Sequence, residues 1–217
     1  DELSSGVSQI FSTRTAFAAL KDDGSVVTWG DNSYGGDSSS DANELSSGVS
    51  QIFSTHSAFA ALKDDGSVVF WGDTSGQNSS HPEETSRGVS QIFSTRFAFA
   101  ALKDDGSVVT WGSNSGGDSS SVADELSSGV SNIFSNSYAF AALKDNGSVV
   151  AWGYISGDTS SISDELSSGV SEIFSTHTAF AALKDDGSVV TWGGISGGDS
   201  SSVADELSSG VSNIFSN

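Results

Sequence analysis

The sequence predicts an all-β chain: a β-propeller of about five blades, each an antiparallel sheet of three to four strands, with one surplus terminal strand. Three observations carry this. The run ALKDDGSVVTWG at 19–30 returns, nearly unchanged, from positions 61, 101, 142 and 182. The glycines that open GVSQIF-like runs stand at 6, 48, 88, 129, 169 and 210, spaced by 42, 40, 41, 40 and 41 residues. Between them lie short runs of β-formers bounded by Gly, Asp and Ser, with no helical periodicity of useful length. A fixed period near 41 residues marks a solenoid, propeller or array. Antiparallel strands repeated around a ring are the propeller pattern, and an open β-solenoid is the alternative that the period alone permits.

Each element of the unit follows from its residues. GVSQIFST (6–13) reads as a first strand carrying Val7, Ile10 and Phe11, and TAFAALK (15–21) as a second. Asp22-Asp23-Gly24 is the turn of a hairpin, since Gly24 takes the positive φ and aspartates hydrogen-bond locally. SVVTWG (25–30) is the third strand, and the polar stretch 31–47 is a loop with room for one short fourth strand. Small residues such as Ala18 and Ala19 suit a strand near a crowded axis, and Phe17 and Trp29 suit the space between neighbouring sheets. The whole of 1–217 then forms a single repeat domain. Its blades are 6–47, 48–87, 88–128, 129–168 and 169–209, and 210–217 is a partial sixth repeat.

The stretch GVSQIFSTRTAFAALKDDGSVVTWGDNSYGG resembles the repeats of the regulator of chromosome condensation family, especially bacterial arrays of that type. It shares their order of Gly, apolar-x-x-Ile, Ala-Leu, Asp-Gly-x-Val and Trp-Gly-x-Asn-x-x-Gly, over essentially the whole chain in five copies. It departs from them at Thr13 (a family Gly), at Ala16 (a family His) and at Gly36-Asp37-Ser38 (a family Gln-Leu-Gly). The resemblance implies a β-propeller used for protein contacts. It does not carry over nucleotide exchange, because no segment resembles the exchange wedge.

Composition narrows the function classes. Against 28 acidic side chains stand 8 basic ones, for a net charge of −20. Such a surface repels phosphate backbones and anionic membranes, keeps a strand-rich chain soluble, and attracts cations weakly. Without cysteine there is no disulfide frame and no thiol chemistry. No stretch is long and apolar enough for a membrane-spanning helix. The chain starts at Asp1 without methionine, as a processed chain or a segment of a longer one does. The expected setting is extracellular or at the cell surface.

No catalytic constellation stands out, and the expectation is a protein that is not an enzyme and holds no cofactor or metal. His56 and His177 share a repeat position that Arg14, Arg96 and Ser137 fill in other units, which does not suit one active site. His81 lies in the odd linker SSHPEE. GYISG (153–157) imitates a nucleophile elbow but lacks the following helix. The acidic GGDSSS runs at 35–40, 116–121 and 197–202 lack the alternating spacing of calcium loops.

The informative variation is the pair before Ala-Phe: Arg14-Thr15, His56-Ser57, Arg96-Phe97, Ser137-Tyr138 and His177-Thr178. Equivalent positions of a propeller lie on one circle, so these form either a contact surface or tolerant turn residues. A sugar-binding alternative would use Tyr34, Tyr138, Tyr154 and the tryptophans. Five equal pockets would need equal residues, and Tyr34, Thr74, Asn114, Tyr154 and Gly194 differ. The ends pose a further question, since six first strands meet five hairpins. The surplus strand is a cap, the cut edge of a longer array, or a strand that pairs with another copy through Val7, Ile10 and Phe11 or Val211, Ile214 and Phe215. The expected function is a repeat scaffold for protein contacts, with itself among the partners.

Overall fold

The structure is a computed structural model that describes residues 3–73, 85, 87–154, 159–194 and 198–216, and of Ser115 the backbone alone. Its strands are β1 (Val7–Ser12), β2 (Ala16–Lys21), β3 (Val26–Gly30), β4 (Val49–Ser54), β5 (Ala58–Lys63), β6 (Val68–Gly72), β7 (Val89–Ser94), β8 (Ala98–Lys103), β9 (Val108–Gly112), β10 (Val130–Ser135), β11 (Ala139–Lys144), β12 (Val149–Gly153), β13 (Val170–Ser175), β14 (Ala179–Lys184) and β15 (Val189–Gly193). They form five antiparallel sheets of three consecutive strands each, in chain order. Among the described residues the linkers hold short 3-10 turns and one four-residue helical turn, Asn114–Gly117, instead of a fourth strand.

A bulge sets the faces of the first strand. Pairing runs Val7↔Lys21 and then Gln9↔Leu20, so Ser8 is extra, and the same shift recurs in all five sheets. The displaced serine is not wasted: Ser8 Oγ donates to the Leu20 carbonyl at 2.9 Å, and Ser50, Ser90, Ser131 and Ser171 repeat the bond. Strict alternation would send Val49 and Ile52 to opposite faces; the bulge brings both into one core.

The core is four layers, each between successive sheets. In the first, Ala16, Ala18 and Leu20 of one sheet meet Val49, Ile52, Phe59, Ala61, Val69 and Trp71 of the next, with Leu45 of the linker sealing the joint. Most of the same strand positions recur in the other three layers, and Leu126 and Leu166 repeat Leu45 in the third and fourth. Each sheet thus has a flat alanine face forward and an aromatic face behind. The aromatic face is built on a cross-strand stack, Phe59 on Trp71, Phe99 on Trp111, Phe140 on Trp152 and Phe180 on Trp192, at 5.2–5.3 Å between ring centroids. The alanines belong to the central strand of each sheet. Their small size is explained by cover on both faces, not by an axis. Successive first strands touch one another, which puts them on the inside of the arrangement.

Hairpin turns tie each unit to the next. Gly24 has φ +75°, and a Cβ there would lie 2.8 Å from the amide nitrogen of Gly48. That closeness lets Val49 N–H donate to the Gly24 carbonyl at 3.0 Å, a bond repeated at Gly66, Gly106, Gly147 and Gly187. In the same turns the second acidic residue accepts from a serine two positions on: Asp23 takes both the Ser25 amide (3.0 Å) and hydroxyl (2.6 Å). The Ser25 hydroxyl, then its amide, hold the Asp23 carboxyl below its ordinary pKa, and Asp65, Asp105 and Asp186 are lowered the same way.

The layers do not close on themselves. Ile52, Ile92, Ile133 and Ile173 are 2–3% exposed, but Ile10 is 61% exposed. Phe17 is 43% exposed where its four equivalents are 0–2%. The aromatic face of the first sheet is bare, and the five sheets form an open arc.

Two outcomes follow for stability. Phe99→Ala empties a sealed site and costs about 3–5 kcal/mol, whereas Phe17→Ala at the bare face costs about 1 kcal/mol; denaturant midpoints of the two variants read the contrast. Because folding lowers the turn carboxyl pKa values, the folded chain holds fewer protons than the unfolded one. Their stabilisation is therefore complete above the ordinary carboxylate range and is lost as pH falls through the lowered folded values, below about 4. Asn146 makes the same two bonds uncharged in the fourth unit. Replacing Asp23, Asp65, Asp105 and Asp186 with Asn keeps the turns and flattens the fall of melting temperature measured from neutral to acid pH.

Candidate functional site

The variable pairs sit on the loops between first and second strands, at the end of the sheets opposite the Asp-Gly turns. The residue before each pair builds the loop. Thr55 Oγ1 accepts from the Ala58 amide (3.0 Å) and the Ser57 amide (3.3 Å), Thr95 does the same, and Asn136 Oδ1 accepts from Tyr138 (2.8 Å) and Ala139 (2.9 Å). Thr55, Thr95 and Asn136 are buried, so they fix the backbone while the pair after them faces outward. In the sequence this position stands out only as Thr13, a departure from the family's glycine; that a short polar residue fills it in every unit is the signal for its role in the loop.

The five loops are joined by backbone bonds. The Arg14 amide donates to the His56 carbonyl (3.0 Å), His56 to Arg96 (2.8 Å), Arg96 to Ser137 (3.0 Å) and Ser137 to His177 (3.2 Å). Each pair is thereby held a fixed step from the next.

The side chains form a row. Tyr34 lies edge-on to His56 at 6.1 Å, His56 meets Phe97 at 6.3 Å, Phe97 meets Tyr138 at 6.3 Å, and Tyr138 lies edge-on to His177 at 5.8 Å. The Arg96 guanidinium stands 5.3 Å from the Phe97 centroid. Ser137 Oγ and His177 Nδ1 are 2.9 Å apart. Of the predicted contact residues, His56, Phe97, Ser137, Tyr138 and His177 come together here with Arg96. Arg14, Thr15, Ser57 and Thr178 occupy the matching positions of their own loops without entering the chain of rings. Tyr34 arrives from a linker: Thr13 Oγ1 donates to its carbonyl at 2.9 Å.

The basic side chains divide between two ends. All five lysines flank the Asp-Gly turns, where Lys63, Lys144 and Lys184 donate to the carbonyls of Glu44, Glu125 and Glu165. Two of the three arginines, Arg14 and Arg96, stand on the loops that carry the row, as do the two histidines His56 and His177. The row is a strip of rings and cations on an acidic body.

The other candidates fall elsewhere. Trp71, Trp111, Trp152 and Trp192 are 1–4% exposed and belong to the core, and Trp71 Nε1 donates to the Gly35 carbonyl at 3.1 Å. Tyr154 is exposed. Thr74, His81 and residues 155–157 of GYISG lie outside the described residues. Among the described residues no cluster of three His, Cys, Asp or Glu side chains is placed to hold a metal, and no helix is long and apolar enough to cross a membrane. Val7 and Ile10 lie on the bare face, with Phe11 on the opposite face of the same strand, packed into the first layer. Val211, Ile214 and Phe215 lie beyond the fifth sheet, in a segment with no strand partner.

Residues 7–35 match the family model described as Regulator of chromosome condensation (RCC1) repeat. No curated protein matches the sequence. Among solved structures the chain is similar to the ectodomain of the Physcomitrella patens receptor kinase CR4, at 16% identity and a TM-score of 0.52, over 88% of this chain and 53% of that one. It is similar to the CRINKLY WD40 ectodomain of the Arabidopsis thaliana receptor kinase ACR4, at 15% identity and a TM-score of 0.50, over 85% of this chain and 64% of that one. It is also similar to yeast RCC1 (Prp20), solved with Kap60 bound, at 17% identity and a TM-score of 0.52, over 87% and 56%. The chain spans 53–64% of the length of these three. At such identities the likeness speaks for the fold alone. The match to the repeat model covers residues 7–35, and the segment it matches recurs four more times along the chain, each time as one of the five three-stranded sheets.

Proposed function

We propose that the chain is a non-enzymatic scaffold that binds a protein partner along the row from Tyr34 to His177. One observation carries the reading. Most repeat positions are nearly identical, yet the pairs that differ are held on a bonded backbone ladder and join into a continuous strip of rings with Arg96 beside them. Tyrosine, other aromatics and arginine are the residue types that anchor protein interfaces. A strip bearing Arg14, His56, Arg96 and His177 suits a segment with acidic and apolar side chains. Yeast Prp20, similar in fold, was solved with another protein bound. The non-enzymatic part rests on the Ser137–His177 pair: no other unit repeats it, and among the described residues no carboxylate bonds the imidazole to orient it as a base. An extracellular or cell-surface setting, with at most weak cation association, goes with this reading.

A displayed library of acidic, aromatic-containing peptides panned against the protein tests the proposal. Selected peptides bind the parent chain, and the triple variant Arg96→Ala, Phe97→Ala, Tyr138→Ala weakens them by about 100-fold while its unfolding midpoint stays put. Binding that survives the triple variant, or selective binding to a glycan array in place of peptides, contradicts it.

A further inference from the structure

A Lys-Asp-x-Gly-Ser turn closes every hairpin, and its third residue is aspartate in four units and asparagine, Asn146, in the fourth. Asn146-Gly147 is the one Asn-Gly pair in the sequence. Packing dictates its glycine: Gly147 has φ +74°, and a Cβ there would lie 2.9 Å from the Gly169 amide nitrogen. The turn also needs a short polar residue before that glycine, whose oxygen bonds the serine after it. Asparagine at this place puts a carboxamide beside a glycine amide that no Cβ shields.

The local bonds arrange this carboxamide for attack. Ser148 donates to Asn146 Oδ1 twice, from its amide at 3.0 Å and from its hydroxyl at 2.7 Å. Bonding two residues ahead curls the side chain back over the peptide between them, the one that contains the Gly147 nitrogen. Two donors on one carbonyl oxygen also stabilise the negative charge that builds there when its carbon is attacked. Asn146 is exposed, so water and hydroxide reach it. One bond opposes the reaction: the Gly147 amide donates to the Lys144 carbonyl at 2.9 Å and must let go first. Asp23, Asp65, Asp105 and Asp186 make the same serine bonds, and those bonds hold them ionised. An ionised carboxylate has no leaving group to give up, whereas the carboxamide of Asn146 has one.

We propose that Asn146-Gly147-Ser148 is a self-modifying turn, in which Asn146 converts to aspartate and isoaspartate in the folded chain. Hydroxide takes the Gly147 amide proton, and the nitrogen bonds to Asn146 Cγ. The Cγ–Nδ2 bond then breaks, and that nitrogen leaves as ammonia after taking a proton from water. Water next adds to the resulting succinimide, and no electron donor or acceptor is needed. Opening at Cγ yields aspartate; opening at the main-chain carbonyl yields isoaspartate, with the main chain rerouted through Cβ. The two products differ in what they do to the fold. Aspartate reproduces the turn of the other four units. Isoaspartate lengthens the main chain by one atom just before Gly147, whose carbonyl accepts from the Val170 amide at 2.9 Å and ties the fourth unit to the fifth. The site acts as a slow clock on one joint of the arc, and it stands or falls independently of the strip of rings.

Peptide mapping of the full chain through a timed incubation in mildly alkaline buffer tests it. The tryptic peptide 145–184 carries Asn146 as its only amide side chain, so a carboxamide-to-acid mass gain in that peptide assigns the site. The folded parent gains that mass, faster at higher pH, and the converted peptide elutes as separate aspartate and isoaspartate forms. Ser148→Ala removes the hydroxyl donor, keeps the amide, and slows conversion of the folded chain by roughly three- to tenfold, the rate equivalent of one hydrogen bond. Ser148→Thr keeps the hydroxyl and converts like the parent. In denaturant, where the turn is absent, parent and Ser148→Ala convert alike. A parent peptide that converts in denaturant and not in the folded chain overturns the proposal, because the bond to the Lys144 carbonyl would then protect the turn. A folded Ser148→Ala chain that converts as fast as the parent also overturns it. Circular dichroism of each variant, expected to match the parent, reads out the fold.

Discussion

The packing of an alanine face against a Phe–Trp face is the contact on which the rest of the molecule depends. An alanine strand is flat enough for the next sheet to approach closely, and the stacked aromatic pair fills the space that approach leaves. Neither face has a use alone. A three-stranded sheet of this size buries too little apolar surface to fold by itself, so each unit is stabilised by its neighbours. The bulge at Ser8 and its equivalents belongs to the same constraint. It turns Val and Ile three positions apart into neighbours on one face and gives the serine hydroxyl a carbonyl to bond.

That contact fixes the step between units and, through it, everything carried on the loops. One end of the sheets bears Asp-Gly turns with all five lysines; the other bears the varied pairs. The turn end is spent on structure: glycine carbonyls bond the next unit, aspartates bond serines, and lysines bond linker carbonyls. The loop end has its structural duty taken over by Thr55, Thr95 and Asn136, which leaves the following two residues free to differ. Rings from four units and one linker then stand within about 6 Å of one another. The regularity of the fold is what allows the irregular side chains to line up.

Much of this was legible in the residues. The period placed the hairpins within a residue or two, Asp-Asp-Gly located the turns, and Phe17 and Trp29 marked the positions that pack between sheets. The pair before Ala-Phe was found because it varied against a constant background. Other features left weaker traces. The bulge shows in sequence only as Val-x-x-Ile, which breaks strict alternation. Space for a fourth strand in the linker gave way to 3-10 turns, because Ser, Asp and Gly there bond locally, as Asp31 does with the Ser33 amide. Alanines read as belonging near an axis lie instead in central strands, since smallness records close approach without naming what approaches. Tyr34 joins the row through folding of a polar linker, which periodicity does not describe.

Hydrogen exchange resolved to single amides, in dilute protein, tests the layered account most directly. It predicts that amides of Ala98–Lys103, covered on both faces, exchange only through the rarest opening, and that those of Ala16–Lys21, covered on one face, exchange faster by a margin that grows with stabilising salt. Equal protection of the two strands in a monomeric sample would mean that something already covers Ile10 and Phe17, and that the sheets do not depend on their neighbours as described here.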